Sequence, residues 1–318
     1  MSIVMQDKPK IIVVCGPTGS GKTGLAVELC KKFDGEIVNA DSRQVYREMD
    51  IGTAKELDEI SNDQFPISNQ CPMNQFSIGG APIYLVNILE PNEKYSVGQF
   101  KKDAEIAIAD IISRGKIPFI VGGTGMYIDA LVENFIFPSN AKIKNQKSKL
   151  QFKNKSLGDL LKTLEALDPE ALKVVDLKNR RRVERAIEVC MTTGVPFTQQ
   201  RKRGERNYEV LKLAPAVSLE REKLYEKINK RVNKMIEQGL EKEVQMLAEK
   251  YGWGSESMTG IGYREFKCEE DISKIIERIK IDTRQYAKRQ MTWFKRDREI
   301  AWCDLREAEK LVKEFLFR

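Results

Sequence analysis

The sequence contains no histidine, so histidine general-base catalysis and histidine-ligated metal centres are both excluded. Its six cysteines are scattered, and none forms the Cys-x-x-Cys pair that is typical of zinc sites. Near its start the chain has only a short apolar run, Ile11 to Cys15, which is too short for a signal sequence or a membrane span. We therefore expect a cytoplasmic protein in a reducing compartment, without a membrane partner.

Positive charge is clustered, although the whole chain is only moderately basic, with a formal net charge of +7 and a sequence pI near 8.9. The clustered cations are, stretch by stretch, Lys142, Lys144, Lys147, Lys149, Lys153 and Lys155; Lys178, Arg180, Arg181, Arg182 and Arg185; Arg201, Lys202, Arg203 and Arg206; and Arg284, Lys288, Arg289, Lys295, Arg296 and Arg298. Each stretch alone could be a solvated helix face. Together they favour a polyanionic partner, with nucleic acid the leading candidate.

A glycine-rich motif follows the first apolar run and precedes a helical pattern. It consists of Gly16, Pro17, Thr18, Gly19, Ser20, Gly21, Lys22 and Thr23. Strand, loop and helix in this order are the setting of a P-loop, whose backbone N–H groups and lysine surround phosphate oxygens. A turn that only joins strand to helix would not need Lys22 and Thr23. The motif predicts a site for two or more phosphates, but it does not show what happens to them.

Strand patterns alternate with helix patterns in the first part of the chain, which predicts an α/β fold with a doubly wound, mostly parallel sheet. Strands are predicted at 11–15, 36–40, 83–89, 117–121 and 208–214, and helices near 22–33, from Ser96, and near 124–134, 157–167 and 179–193. The predicted domains are a first part of the core at 1–135, a helical insertion at 136–206, and a last core strand with C-terminal helices at 207–318. From Leu219 onward we expect helices.

Two strand ends carry the candidate chemistry. Asp41 directly follows the second predicted strand, so it should lie at the carboxyl edge of the sheet, where the P-loop also opens. It could act as a base or hold a metal through water, and a helix N-cap is the competing interpretation. The strand at 117–121 ends in Gly122 and Gly123, without the acid that organises Mg²⁺ in nucleotide-hydrolysing P-loop proteins. The glycines indicate either close approach of a phosphate ligand or tight packing of helix on strand.

Several segments, in order along nearly the whole chain, resemble motifs of the tRNA dimethylallyltransferases, also called tRNA isopentenyltransferases. These segments are Gly16 to Thr23, Asp41 to Tyr46, Met49 to Lys55, Gly122 to Tyr127, Asn179 to Val183, Ile261 to Glu265 and Tyr286 to Lys295. The resemblance implies a P-loop core with an inserted, all-helical tRNA-binding domain. It also implies transfer of a dimethylallyl group from dimethylallyl diphosphate to N6 of adenosine 37, in tRNAs that read codons beginning with U. The implied partner is the anticodon stem-loop, the implied cofactor is Mg²⁺, and nothing demands more than a monomer.

The resemblance also assigns roles by position. Asp41 matches the base that accepts the N6 proton, while Lys22, Thr23 and Arg221 match residues at the diphosphate, with Mg²⁺ held at Thr23 through the diphosphate. An exposed charge at a helix start is the competing interpretation of Arg221. The residues that match tRNA-contacting positions are Asp41, Ser42, Arg43, Gln44, Gly122, Gly123, Thr124, Arg181, Arg182, Val183, Glu184, Arg185, Gly260, Gly262, Tyr263, Arg264, Lys288, Arg289, Gln290, Thr292, Trp293 and Lys295.

The chain departs from the family pattern near Ile83, where a His-His pair is absent and Asn87 replaces an acid. Two other functions stay open from the residues alone. A small-molecule or nucleotide kinase is supported by the N-terminal half, although the missing acid after 117–121 opposes it. A non-catalytic RNA-binding protein on a P-loop fold would bind tRNA with a steep salt dependence but release no diphosphate.

Overall fold

The computed structural model describes residues 8–59, 76–137, 152, 154–199, 202–267 and 271–318. Most of the first basic stretch, from Lys142 to Lys153, and Arg201 lie outside the described residues. Contacts divide the chain into two compact units, Met1–Val132 with Asn207–Arg318, and Glu133–Arg206. No described helix is long and apolar enough to cross a membrane.

Ten strands are described, eight of them in one sheet of the first unit. They are β1 (Lys10–Cys15), β2 (Gly35–Asn39), β3 (Asp58–Glu59), β4 (Phe76–Ile78), β5 (Ala81–Tyr84), β6 (Ile117–Gly122), β7 (Phe135–Ile136), β8 (Lys202–Arg203), β9 (Glu209–Pro215) and β10 (Ile300–Cys303). The sheet order is β10-β9-β1-β6-β2-β5-β4-β3, parallel from β10 to β5 and antiparallel beyond. The predicted α/β class with a mostly parallel sheet is confirmed.

The helices cover both faces of this sheet and build the second unit. They are α1 (Lys22–Phe33), α2 (Val97–Ser113), α3 (Gly125–Val132), α4 (Leu157–Leu167), α5 (Ala171–Val174), α6 (Arg180–Thr193), α7 (Arg221–Glu237), α8 (Leu240–Tyr251), α9 (Ile272–Phe294) and α10 (Leu305–Leu316). Alternate residues of β1 point to opposite faces. Ile11 and Val13 join a core with Phe100 of α2, whereas Ile12 joins a core with Leu29 of α1. The sheet therefore separates two apolar layers.

Two predicted strand assignments are wrong in part. The strand predicted to run to residue 89 ends at Tyr84, because Leu85 and Asn87 have φ angles of +61° and +53°. Leu85 stays fully buried, so this apolar run reflects burial in a turn rather than a strand. The strand at 208–214 is not the last one either, since β10 pairs with it in parallel.

The second unit has its own small core, which contains Leu160 and Leu164 of α4 with Val183 and Ile187 of α6. Ser156 caps the N-terminus of α4 in a complete capping box with Asp159. The unit is not entirely helical, because β7 and β8 pair where the chain enters and leaves it.

A buried ion pair stabilises the edge of the sheet opposite the carboxyl ends of the parallel strands. Glu36 of β2 has no exposed surface, and Arg114 donates to both of its oxygens, at 2.6 and 2.5 Å. Nearby, Lys116 forms an ion pair with Asp34 at 2.5 Å, but the Asp34 side chain is 77% exposed. The two pairs differ mainly in burial.

We expect Arg114→Met to lower the free energy of unfolding by about 3–5 kcal/mol, because it leaves the buried Glu36 carboxylate without its cation and with the Tyr84 hydroxyl as its remaining described side-chain donor. Lys116→Met should cost less than about 1 kcal/mol, since an exposed pair contributes little. Urea titration of the two variants measures both values. Similar small losses in both would contradict this account of Glu36.

Candidate active site

The carboxyl ends of β2 and β6 and the P-loop after β1 surround one cavity of about 710 Å³. Its other walls come from the loop after β2 and from α7. The lining residues are Thr18, Gly19, Gly21, Lys22, Thr23, Ile37, Asn39, Asp41, Gln44, Asp50, Ile51, Ala54, Lys55, Glu56, Leu57, Ile78, Ile83, Val121, Gly122, Lys227, Arg231, Lys234, Met235 and Gln238. The structure thus brings the P-loop, Asp41 and Gly122 together, as parallel strands ending at one edge require.

Helix α1 begins inside this cavity. Gly21 precedes it with a φ of +84°, and this N-cap residue has no side chain that could cap the first turn. The first N–H groups of a helix have no intrahelical acceptor, and the helix dipole adds positive potential there. They can therefore bind an anion. Of the predicted phosphate-binding residues, Gly16, Pro17 and Ser20 are not among the lining residues, and Ser20 is buried.

Three cations at the cavity are largely removed from water. Burial lowers the pKa of Lys22 to about 8, although Asp41 partly opposes this change. Burial also lowers the pKa of Arg231, whose Nη2 donates to the carbonyl oxygen of Thr53 at 3.1 Å. Lys55, with a side chain 1% exposed, pairs with Asp50 at 2.8 Å, and burial lowers its pKa as well. The cavity is therefore suited to a ligand with several negative charges.

The arginine in the cavity is Arg231 rather than the predicted Arg221. Arg221 is the first residue of α7, is exposed, and has its guanidinium 5.1 Å from the ring centre of Tyr225. Arg221 is not one of the residues that line the cavity. Arg231 lies on the same helix between Ile228 and Val232, which are both buried. Sequence reasoning missed it because nothing local to an arginine in a predicted amphipathic helix shows that its side chain reaches a cavity.

Asp41 is held in a turn, not at the start of a helix, so the N-cap interpretation is wrong. Its Oδ1 accepts the N–H of Arg43 at 2.9 Å, and its own N–H donates to Oδ1 of Asn39 at 3.2 Å. No described residue donates to Oδ2. One oxygen orients the carboxylate while the other is available at the cavity, as a proton acceptor needs to be.

Gly123, directly after β6, packs against α9. A Cβ on Gly123 would lie 2.4 Å from Nε2 of Gln290, so no larger residue fits without displacing that side chain. Gln290 is 6% exposed, accepts the N–H of Thr18 at 2.9 Å and donates to the carbonyl oxygen of Gly123 at 2.8 Å. It bridges the P-loop and the end of β6. Tight packing, the alternative left open from the sequence, accounts for Gly123.

The other residues predicted to contact tRNA include exposed side chains and side chains with partners inside the protein, and some are both. The exposed side chains are Arg181, Arg182 and Arg185 in the second unit, and Arg264, Lys288, Arg289, Thr292 and Lys295 in the first; of these, Arg182 also pairs with Asp176 and Arg185 with Glu188. Several side chains have partners within the protein. Ser42 and Thr124 hydrogen-bond to each other, Arg43 donates to the carbonyl oxygen of Glu256, Gln44 donates to the carbonyl oxygen of Thr53, and the Trp293 indole donates to Asp129. Glu184 pairs with Arg180, and Arg264 pairs with Asp282 and Glu265.

Two further predicted contact residues, Val183 and Tyr263, are buried. Their side chains, like that of Gln290, belong to the interior of the protein. Direct contact with RNA through these three side chains is therefore inconsistent with the structure. Gly260 and Gly262, in the turns beside Tyr263, are buried as well.

Comparison with known proteins places the chain. The family model described as IPP transferase matches residues 44–297. The chain belongs to the IPP transferase family. It is 38% identical to a protein of Halothermothrix orenii named tRNA dimethylallyltransferase, over 98% of this chain and 95% of the relative.

Solved structures agree with this assignment. The full-length tRNA isopentenylpyrophosphate transferase of Bacillus halodurans has a TM-score of 0.66 and 31% identity, over 98% of this chain and 97% of that one. A eukaryotic dimethylallyltransferase described as acting on tRNA has a TM-score of 0.71 and 29% identity, over 90% of this chain and 69% of that one. The resemblance found in the sequence motifs is confirmed.

The lowered pKa of Lys22 predicts a pH dependence of anion binding. Below pH 8 the amine is protonated and attracts the anion, and above pH 8 it loses its proton and its charge. We expect the dissociation constant of an unreactive alkyl diphosphate to rise on the order of tenfold between about pH 8 and about pH 9.5. Calorimetric titration measures it. Lys22→Met should bind more weakly with a flatter profile, and equal slopes in both proteins would contradict the assignment.

Proposed function

We propose that this protein transfers the dimethylallyl group of dimethylallyl diphosphate to N6 of adenosine 37, in tRNAs that read codons beginning with U. The products are N6-(dimethylallyl)adenosine and diphosphate. The observation that carries the proposal is a cationic cavity with a carboxylate, Asp41, at its edge, in a member of the IPP transferase family. Relatives named tRNA dimethylallyltransferase support the reaction class.

The cavity has cationic and apolar lining residues, which suit the two parts of the proposed donor. Lys22, Arg231 and the first turn of α1 would receive the diphosphate. Apolar side chains of Ile37, Ile83 and Val121 line the same cavity and suit the five-carbon hydrocarbon. As the allylic C–O bond breaks, negative charge develops on the leaving diphosphate, and these fixed cations and N–H groups stabilise it.

A divalent cation is compatible with this donor set. Among the described residues no cluster of three potential ligands exists, but Mg²⁺ commonly keeps its waters and binds substrate phosphates with one or two protein oxygens. The hydroxyl of Thr23 and the carboxylates of Asp41 and Asp50 line the cavity. Mg²⁺ held at Thr23 would supply further stabilisation of charge on the leaving group.

Asp41 is the proposed base. Adenine N6 is a weak nucleophile, because its lone pair is delocalised into the ring. As N6 bonds to the allylic carbon, the carboxylate of Asp41 accepts the N6 proton and the C–O electron pair leaves with diphosphate. The oxygen that is not bound to the Arg43 N–H can take that proton.

RNA binding is proposed for the exposed basic residues. Arg181, Arg182 and Arg185 on α6 and Lys288, Arg289 and Lys295 near the end of α9 are suited to phosphates of an anticodon stem-loop. The domain assignment is a P-loop core, 1–135 with 207–318, and a tRNA-binding insertion, 136–206. The target adenine would enter the core after leaving its stack. The proposed working form is a cytoplasmic monomer.

Labelled dimethylallyl diphosphate and an unmodified stem-loop carrying adenosine 37 test the proposal. We expect label in the RNA and one diphosphate released per group transferred, with no transfer to a stem-loop carrying guanosine at that position. The Bacillus halodurans relative serves as a positive control. Absence of label here while the control is active would contradict the proposal, and phosphate transfer from ATP would favour a kinase.

Asp41→Asn should lower the turnover number by about 10²- to 10⁴-fold, because an amide cannot accept the N6 proton. The affinity for tRNA should stay nearly unchanged. Single-turnover kinetics and stem-loop binding measure these effects. Asp34→Asn is the matched control at the opposite end of β2 and should react normally; near-normal turnover in Asp41→Asn would remove Asp41 from this role.

Arg231→Ala should raise the KM for the donor by about 10- to 100-fold, the effect expected on losing a charged hydrogen-bonding group at the diphosphate. Arg221→Ala should leave it within about twofold, since that guanidinium is exposed outside the cavity. Steady-state kinetics with varied donor compare the two. The reverse ranking would show that Arg221 reaches the diphosphate.

A further inference from the structure

The side chain of Asn39 links the carboxyl ends of two strands. Asn39 is the last residue of β2, lines the cavity and is 3% exposed. Its Nδ2 donates to the carbonyl oxygen of Leu85, directly after β5, at 3.0 Å. Its Oδ1 accepts the backbone N–H of Asp41 at 3.2 Å. Because one partner is a carbonyl oxygen and the other an N–H group, the orientation of the amide is fixed as well.

The bond to Leu85 stands where the ladder between the two strands ends. Strand β5 pairs with β2 in parallel, with Val38 opposite Tyr84, so Asn39 and Leu85 would be the next pair. Leu85 has a φ of +61°, which is not extended, and the ladder stops there. Leu85 is fully buried, and a buried carbonyl oxygen without a donor costs free energy. The side chain of Asn39 supplies a donor.

Asp41 lies between two anchored residues. On one side Asn39 accepts its N–H. On the other side its Oδ1 accepts the N–H of Arg43 at 2.9 Å, and the Arg43 guanidinium donates to the carbonyl oxygens of Glu256 and Ser257 at 2.9 and 3.3 Å. In both cases a side-chain oxygen binds the N–H two residues later, which makes two successive Asx turns. Side chains, rather than a helix or a strand, thus fix the backbone around Asp41.

The backbone position of Asp41 determines where its carboxylate can reach. The proposed reaction requires this carboxylate within hydrogen-bond distance of adenine N6. A displacement of about 1 Å can lower a rate on the order of 10²-fold, because the reacting groups must be aligned. Asn39 uses its amide oxygen and Nδ2 for backbone groups, so it can support the carboxylate without taking part in the proton transfer.

We propose that Asn39 is a positioning residue for the transfer reaction, which places the Asp41 carboxylate by holding its backbone to the turn after β5. The proposal rests on the proposed function, from which Asp41 takes its role as the base. Leu85 thereby affects the reaction rate, although it is not one of the residues that line the cavity.

The test is the single-turnover transfer rate to an anticodon stem-loop at saturating donor. Asn39→Ala should lower this rate by about 10- to 100-fold. The donor concentration that gives half of the maximal rate should stay within about threefold, because the diphosphate contacts remain. Asn39→Ser should lose only about three- to tenfold, since a serine hydroxyl can also accept the N–H two residues later.

Loss of stability alone is controlled by Val312→Ala, which removes buried atoms of α10. This variant should react within about twofold of the wild-type rate, because it is independent of the site. A near-normal rate in Asn39→Ala would overturn the proposal. A tenfold or greater rise in the donor concentration for half of the maximal rate would also overturn it, since Asn39 would then contact the donor directly.

A double variant shows whether Asn39 acts through Asp41. Asn39→Ala added to Asp41→Asn should change the remaining rate by less than about twofold, because the group that Asn39 positions is already lost. The same loss as in the wild-type background would mean that Asn39 acts independently of Asp41, and it would overturn the proposal. If Asn39→Ala does not fold, Asn39→Ser gives the same comparison.

Failure of the proposed function has a different signature. A wild-type protein that transfers no label to the stem-loop would reject the function and, with it, the role of Asn39 in the reaction. Hydrogen exchange at the Asp41 amide then tests the geometry separately. This amide should be protected in the wild type and in Val312→Ala and lose protection in Asn39→Ala. Equal protection in all three would overturn the positioning of Asp41 by Asn39.

Discussion

Five basic and three acidic side chains line the cavity, and this surplus of positive charge is the constraint on which the site depends. Lys22 and Arg231 are taken from water without enough counter-charge, and the lowered pKa values of both express that cost. In the proposed reaction, the diphosphate of the donor would supply the missing negative charge. Because the charge on that group increases as its bond to carbon breaks, the same arrangement would also stabilise the transition state.

Such an arrangement needs rigid support, which comes from buried polar side chains outside the reacting groups. Gln290 joins the P-loop to the end of β6, and Glu243 accepts the N–H groups of Asp50, Ile51 and Gly52 in the opposite wall. Both belong to C-terminal helices, although most of the cavity is lined by residues from the first 122. The C-terminal helices therefore complete the site in addition to covering the sheet.

The elements that sequence predicted well have strong local signals. The strand, loop and helix around Lys22 could be read directly, and the position of Asp41 followed from the rule that parallel strands end at one edge. Strand β10 was missed because a four-residue apolar run after a charged loop has no periodicity to identify it. The apolar run around Leu85 was wrongly predicted to be part of a strand. Its residues are apolar because they are buried, although the backbone there is not extended.

Residues whose role depends on tertiary contact could not be predicted. Arg231 was missed within an amphipathic helix. What distinguishes it from Arg221 is that its side chain reaches the cavity, which only the folded structure shows. Gln290 and Tyr263 were found through motif resemblance, but their burial shows that they act inside the protein. Glu243 had no local signal, because its donors are about 190 residues earlier in the chain.

Mass spectrometry of nucleosides from cellular tRNA tests the central claim most directly. Cells that lack this gene should show unmodified adenosine at position 37 in tRNAs that read codons beginning with U. Returning the intact gene should add the mass of one five-carbon isoprenyl group to that nucleoside, and returning the Asp41→Asn variant should not. An unchanged level of the modified nucleoside in cells without the gene, where no second enzyme of this family is present, would contradict the account.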